Sequence, residues 1–142
     1  MPKQVRSLTG ASRRATSTGR RFSTAALTEI DRSRILGLRA GGEPHRFTGV
    51  WVVVVKGRVL VRSWNDEPDG WYRAFRRDPR GVIQIPPGRE IRVRAKPVRG
   101  ERMLDAMDVA YAEKYPTPGS RKYVIGFALA WRRACSIELV PA

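Results

Sequence analysis

The sequence predicts a single α+β domain built mainly from antiparallel strands, with two or three helices between them. Three observations favour this class. Short segments rich in β-branched residues recur along the chain and are joined by short turns, which suit antiparallel pairing. One continuous apolar stripe over residues 101–115 predicts an amphipathic helix. At 142 residues the chain has the usual length of one domain.

Six segments have the composition and period of strands. The clearest are 47–55 and 58–63, which a two-residue turn at 56–57 joins into a hairpin. Because side chains alternate along a strand, Leu60 and Arg62 are expected to share one face of the second strand. The other predicted strands are 35–39, 81–85, 91–95 and 133–140.

Three helices are predicted. The first begins at Ser23 or Thr24, since either side chain can cap a helix. The second is capped by Asp69 and ends before Pro79, which cannot continue a helix. The third is the amphipathic segment 101–115. Residues 119–131 show no clear period, and their structure stays open.

The charge of the chain is strongly positive and unevenly spread. The formal net charge is +15, and residues 1–22 hold six basic residues and no acidic one. This segment is also poor in large apolar side chains, so it cannot bury enough surface to offset the entropy of ordering. We therefore predict a disordered basic tail over 1–22 and a folded domain over 23–142. The basic excess attracts polyanions without identifying one.

Several classes of protein are disfavoured. The single cysteine, Cys135, cannot form an internal disulfide, and together with the single histidine, His45, it cannot fill a zinc site. No apolar run approaches the length that spans a bilayer. Phosphate-loop, dinucleotide-binding and serine-hydrolase motifs are absent. We expect a cytoplasmic protein with no metal and no membrane partner.

One constellation suggests a cofactor site. Arg62, Ser63 and Trp64 end a predicted strand, and Trp71 and Arg73 lie in the helix that follows. Arginine gives bidentate donors to phosphate oxygens, and Ser63 adds a compact one. A helix N-terminus favours phosphate, and the two indoles can stack on a planar ring. The alternative is a solvated basic helix face with the tryptophans in the core.

Short blocks occur along the chain in an order typical of one bacterial family. They are 51–55 (Trp-Val-Val-Val-Val), 61–63 (Val-Arg-Ser), 70–74 (Gly-Trp-Tyr-Arg-Ala), Gly81 and 110–115 (Ala-Tyr-Ala-Glu-Lys-Tyr). In these blocks the chain resembles domain-of-unknown-function family 2255, from about residue 23 to residue 140.

That family is similar to the split β-barrels of pyridoxamine-phosphate-oxidase and deazaflavin-reductase type. The resemblance implies a six-stranded antiparallel split β-barrel (Greek key) with two or three flanking helices, usually a homodimer. In flavin-binding relatives, a hairpin followed by a helix ending in Asn-Pro or Asp-Pro lies beside the cofactor phosphate. The residues that fall on this block are Arg62, Ser63, Trp71, Arg73, Asp78 and Pro79. The implied cofactor is FMN or the deazaflavin coenzyme F420.

Three functions stay open. The first is a flavin- or deazaflavin-binding protein, an FMN- or F420-dependent oxidoreductase with a phosphate-bearing ligand. The second is a non-enzymatic binder of nucleic acid or another polyanion, which the basic tail and the alternating Arg92 and Arg94 suggest. The third is a dimeric structural domain that has lost its cofactor, since the phosphate segment of the deazaflavin branch is absent before the hairpin.

Overall fold

The computed structural model describes residues 21–42 and 45–142. Within them, seven strands and five helices follow one another along the chain. The strands are β1 (Leu36–Ala40), β2 (Thr48–Val50), β3 (Val52–Val55), β4 (Arg58–Arg62), β5 (Arg80–Ile85), β6 (Arg89–Pro97) and β7 (Ser136–Pro141). The helices are α1 (Thr24–Arg32), α2 (Trp71–Arg77), α3 (Glu101–Lys114), α4 (Pro118–Phe127) and α5 (Ala130–Arg133).

The strands form one antiparallel sheet with the order β2-β1-β5-β6-β7-β4-β3. The two edge strands, β2 and β3, are consecutive in the chain and are separated only by Trp51. The chain thus passes from one edge of the sheet to the other at this residue, and the sheet curls into a nearly closed barrel with one seam. The predicted α+β class and antiparallel split barrel are confirmed.

The predicted strand 47–55 is two strands, which makes seven strands in place of six. Its first part pairs with β1 and its second part pairs with β4, so the pairing partner changes at Trp51. The hairpin that follows is as predicted. Lys56 and Gly57 have φ angles of 52° and 77°, the positive values that a type I′ turn requires at both central positions.

Two apolar layers lie on opposite faces of the β3–β4 hairpin. Val59 and Val61 point into the barrel and are fully buried there. On the outer face, Leu60 packs with Met107 and Tyr111 of α3. Because both faces are covered, the Val52–Val55 run is apolar throughout and shows no alternation.

The three predicted helices are confirmed, with one correction at a cap. Ser23 caps α1, since its Oγ accepts a hydrogen bond from the backbone N–H of Ala26 at 3.1 Å. The N-cap of α2 is Gly70, with no side-chain cap bond, so the prediction that Asp69 caps this helix is wrong. The segment left open forms α4 and α5, so five helices accompany the barrel in the described residues.

Residues 21 and 22 of the predicted tail lie in the described part of the chain. Phe22 is 9% exposed and packs in the barrel interior. Residues 1–20 lie outside the described residues, so the disorder of the tail stays a prediction. Among the described helices, none is long and apolar enough to cross a membrane.

Candidate functional site

A cavity of about 560 Å³ opens at the end of β4, beside the β2–β3 junction. Four of the five predicted site residues line it: Arg62, Ser63, Trp64 and Trp71. Arg62 and Trp71 therefore meet at one cavity, as the cofactor hypothesis requires. Other parts of the chain complete the wall with Thr48, Trp51, Asn65, Asp69, Tyr123 and Phe127.

Five aromatic side chains contribute to the wall. The centroid of Trp64 lies 5.3 Å from that of Tyr123 and 5.6 Å from that of Phe127, both with the rings at steep angles. Trp51 is held from behind by Tyr115, whose ring stacks on it at 4.1 Å with an interplanar angle of 3°. Such contacts fix ring orientations and contribute about 0.5–1.5 kcal/mol each beyond the area buried.

Trp64 is clamped between α4 and an arginine. A Cβ on Gly126 would lie 2.5 Å from the indole, so glycine is required for the helix to approach it so closely. The guanidinium carbon of Arg132 lies 3.5 Å from the indole centroid, and its Nε donates to the Trp64 carbonyl at 2.7 Å. Although 37% exposed, Trp64 is thus held on two sides.

The guanidinium of Arg62 is bound by the protein itself. Its Nε donates to Ser136 Oγ at 2.7 Å, and its Nη1 donates to Asp108 Oδ1 at 2.5 Å and to the Phe127 carbonyl at 3.0 Å. Its Nη2 donates to the Leu104 carbonyl at 3.4 Å. These bonds use four of the five N–H groups of an arginine.

This geometry gives Arg62 a structural role beside the predicted one. The side chain is completely buried, and Asp108 neutralises its charge. Asp108 in turn pairs with Arg133 of α5, which also pairs with Asp105 at 2.9 Å. The hydrogen bond that Arg133 donates to Asp105 is the main cause of the raised pKa of Arg133. Arg62 thus anchors α3 and α4 to the barrel, and its binding of a cofactor phosphate stays a prediction.

The hydroxyl of Ser63 is also engaged in hydrogen bonds within the protein. It is buried, and its Oγ donates to the Asn65 carbonyl at 2.5 Å while accepting from the Asn65 N–H at 3.3 Å. Side chain and backbone thus form a local turn that shapes the loop after β4. Ser63 lines the cavity, but its hydroxyl hydrogen already has an acceptor.

Arg73 does not reach the cavity. Its Nε and Nη2 bind the two carboxylate oxygens of Asp66 at 2.8 and 3.2 Å. This hydrogen-bonded pair lowers the pKa of Asp66 and raises that of Arg73. Arg73 lies outside the lining and is ion-paired on the surface, and the prediction that it holds a cofactor phosphate stays a prediction.

The cavity is consequently aromatic and poor in positive charge. Among its described lining residues, only Arg62 and Asp69 carry a formal charge at neutral pH, and the first is neutralised. Sequence reasoning missed Trp51, Tyr123 and Phe127. The last two are four residues apart, a helical spacing that places them on one face of α4.

Comparison with solved structures agrees with the barrel architecture. A conserved hypothetical protein from Mycobacterium tuberculosis has a TM-score of 0.55 at 19% identity, with 91% of this chain and 85% of that one covered. A candidate pyridoxamine 5′-phosphate oxidase from Listeria innocua has a TM-score of 0.58 at 12% identity, with coverages of 82% and 90%. A heme binding protein from Mycobacterium smegmatis has a TM-score of 0.51 at 17% identity, with coverages of 84% and 51%.

At these identities the likeness to solved structures establishes the fold alone. No curated protein matches the sequence. A family model matches residues 24–136, most of the chain and nearly all of the barrel with its helices. The chain therefore belongs to the family described as "Uncharacterized protein conserved in bacteria (DUF2255)".

Proposed function

We propose that this protein binds a flavin-type cofactor, FMN or coenzyme F420, through its planar ring in the aromatic cavity. The observation that carries the proposal is the convergence of five aromatic side chains on one cavity: Trp51, Trp64, Trp71, Tyr123 and Phe127. They come from the β2–β3 junction, the loop after β4, α2 and α4, so only the folded chain brings them together.

The cavity fits the ring better than the phosphate. Its volume, about 560 Å³, lies within the range of about 300–1,000 Å³ usual for small-molecule sites. Its walls offer faces and edges for stacking. For a phosphate, the lining offers a neutralised arginine, an occupied serine and the carboxylate of Asp69, which repels an anion. We therefore expect the phosphate to extend from the cavity toward solvent.

Two structural neighbours are named for ligands that contain flat rings, heme in one and pyridoxamine phosphate in the other. They lend support to a ring-binding site in this fold. When bound, a flavin supplies hydride or electron transfer, and the protein contributes binding, orientation and exclusion of water. The cavity residues of this chain are suited to those tasks through stacking.

The test is a titration of the full chain with riboflavin, FMN and coenzyme F420. Binding is measured by calorimetry and by the change in ligand fluorescence. Riboflavin and FMN share a ring and differ by the phosphate. We expect both to bind, with dissociation constants within about threefold of each other, because the only cation among the described lining residues is Arg62, which is ion-paired. Absence of binding by all three ligands would refute the proposal. Tenfold preference for FMN, about 1.4 kcal/mol, would refute ring-only recognition.

A matched pair of tryptophan variants tests the location. Trp64→Leu removes one wall, and we expect riboflavin affinity to fall about tenfold, in keeping with about 1–3 kcal/mol for stacking on an aromatic side chain. Trp131→Leu is the control, since Trp131 is 48% exposed and does not line the cavity. Equal losses in the two variants would place the ligand elsewhere.

A further inference from the structure

A second surface lies on the outside of the barrel, away from the aromatic cavity. The side chains of β6 alternate, with Val93 buried in the barrel and Arg92, Arg94 and Lys96 exposed. On β1, Arg39 also points outward, between the buried Leu38 and Ala40. We call Arg39, Arg92, Arg94 and Lys96 the cationic face. It shares no residue with the lining of the cavity.

The strand register places these cations close together. Arg39 is opposite Val82 of β5, and Val82 is opposite Arg92, so the two arginines flank one strand. Neighbouring strands are about 4.8 Å apart, and alternate residues on a strand about 6.8 Å. The cationic face therefore presents a row of three positive charges along β6, and a fourth, Arg39, two strands away on β1.

The positive charge of this face is not neutralised internally. Within the described parts of the chain, none of its four members forms an ion pair. Glu138, opposite Lys96 in the register, pairs instead with Arg58 at 2.8 Å. A second carboxylate, that of Glu90, stands at the other end of the row. Like charges held side by side repel each other, and a bound polyanion relieves that repulsion.

An aromatic ring adjoins the cations at one edge. The guanidinium carbon of Arg39 lies 4.7 Å from the centroid of the Phe47 ring. Gly37 lies beside the base of this side chain, since a Cβ there would lie 3.4 Å from the Phe47 Cβ and 3.1 Å from the Gln84 Cβ. An aromatic ring beside a line of arginines is the combination that binds unpaired bases together with their phosphates.

We infer that the cationic face binds single-stranded nucleic acid, with phosphates along Arg92, Arg94 and Lys96 and a base near Phe47 and Arg39. The spacing of alternate residues on β6 matches an extended backbone of repeating charges. The lone ring favours an unpaired strand over a duplex, whose bases are already stacked. This binding is independent of the cavity and of its cofactor.

The experiment uses the full chain and a fluorescein-labelled oligothymidylate, with fluorescence anisotropy measured over a range of salt concentrations. Single strands give a slope of log affinity against log salt of about −0.7 per neutralised phosphate. Arg92→Gln with Arg94→Gln should make the slope shallower by about 1.4, which corresponds to about 25-fold weaker binding at 0.1 M salt. Riboflavin titration of the same variant should match the unsubstituted protein.

The control is Arg102→Gln with Arg121→Gln, two exposed arginines on α3 and α4. It removes the same net charge and leaves the cationic face and the basic tail unchanged. Equal losses in the two double variants would show that overall charge holds the strand, and would overturn the inference. Equally tight binding of duplex DNA would also overturn it. So would a result in which the Arg92 and Arg94 substitutions weaken binding to phosphatidylserine vesicles but leave binding to the oligothymidylate unchanged.

Discussion

Replacing Arg62 with leucine tests whether this residue is a structural anchor or a ligand-binding group. In the folded chain its guanidinium bonds to Ser136, Asp108, and the carbonyls of Phe127 and Leu104. Leucine keeps the apolar stem in the layer between β4 and the helices but removes all four bonds. The Phe127 carbonyl then loses a buried donor at the end of α4.

The expected loss of stability is large. Removing one partner of a buried ion pair costs about 3–5 kcal/mol, because the other charge is left buried and unpaired. Here Asp108 keeps Arg133 as a partner and is 26% exposed, so we expect the lower end, about 3 kcal/mol. For a domain of this length that corresponds to a fall in Tm of about 9 °C. Urea unfolding followed by circular dichroism measures the change.

Arg58→Leu is the matched control. Arg58 lies on the same strand and face, and it also pairs with a carboxylate, that of Glu138 at 2.8 Å, but its side chain is 43% exposed. An exposed pair contributes at most about 1 kcal/mol. If Arg62→Leu unfolds no more easily than Arg58→Leu, the buried network contributes little to stability. The guanidinium of Arg62 would then again be a candidate ligand for phosphate.

Three further predictions concern packing and charge elsewhere. Gly81→Ala should lower the free energy of unfolding by about 1–3 kcal/mol, because a Cβ would lie 2.7 Å from Phe75 Cε1 and 2.8 Å from the Arg39 carbonyl oxygen. Gly88→Ala is the control, since a Cβ there would have no atom within 4 Å. In the same urea titration its free energy of unfolding should be nearly unchanged. Phe22→Ala should lower the free energy of unfolding by about 3 kcal/mol, because the side chain packs in the barrel interior. A decrease below about 0.5 kcal/mol, the value usual for surface substitutions, would contradict the place of Phe22 in the core. Burial lowers the pKa of Lys114 to about 8 from 10.5, so the unfolded chain binds more protons between those pH values and stability should rise as pH increases through them. The difference in unfolding free energy between the unsubstituted protein and Lys114→Met should show this rise from pH 8 to about 10, and a flat difference would contradict it.

Strand positions were predictable because they depend on local patterns. Alternation along 81–85 and 91–95, and the two-residue turn at 56–57, determined the hairpins without knowledge of distant residues. The break at Trp51 was not predictable in this way. It arises because the first half of one apolar run pairs with β1 and the second half with β4, two strands far apart in the sheet order. No local pattern within the run indicates which strand each half will pair with.

The role of Arg62 shows a different limit. Alternation placed it correctly on the same face as Leu60, and an apolar neighbour on that face indicated that the face is covered. Its partner Asp108 is 46 residues away in the sequence, and only the packing of α3 against β4 brings the two together. An arginine at a strand end therefore has the same local signature whether it anchors a helix or holds a phosphate.

The distribution of charge argues that ring binding and phosphate binding belong to different surfaces of this protein. Acidic residues of α3 pair with Arg62 and Arg133. Arg132 stacks on Trp64 and donates to backbone carbonyls, so the arginines near the aromatic cavity are engaged by the chain itself. The described cations without an ion-pair partner include those of the outer β1 and β6 face. Salt distinguishes the two surfaces, because it screens exposed charges and leaves apolar stacking intact or strengthened. Raising the salt concentration should therefore release an oligonucleotide while riboflavin stays bound, and simultaneous release of both would contradict this division.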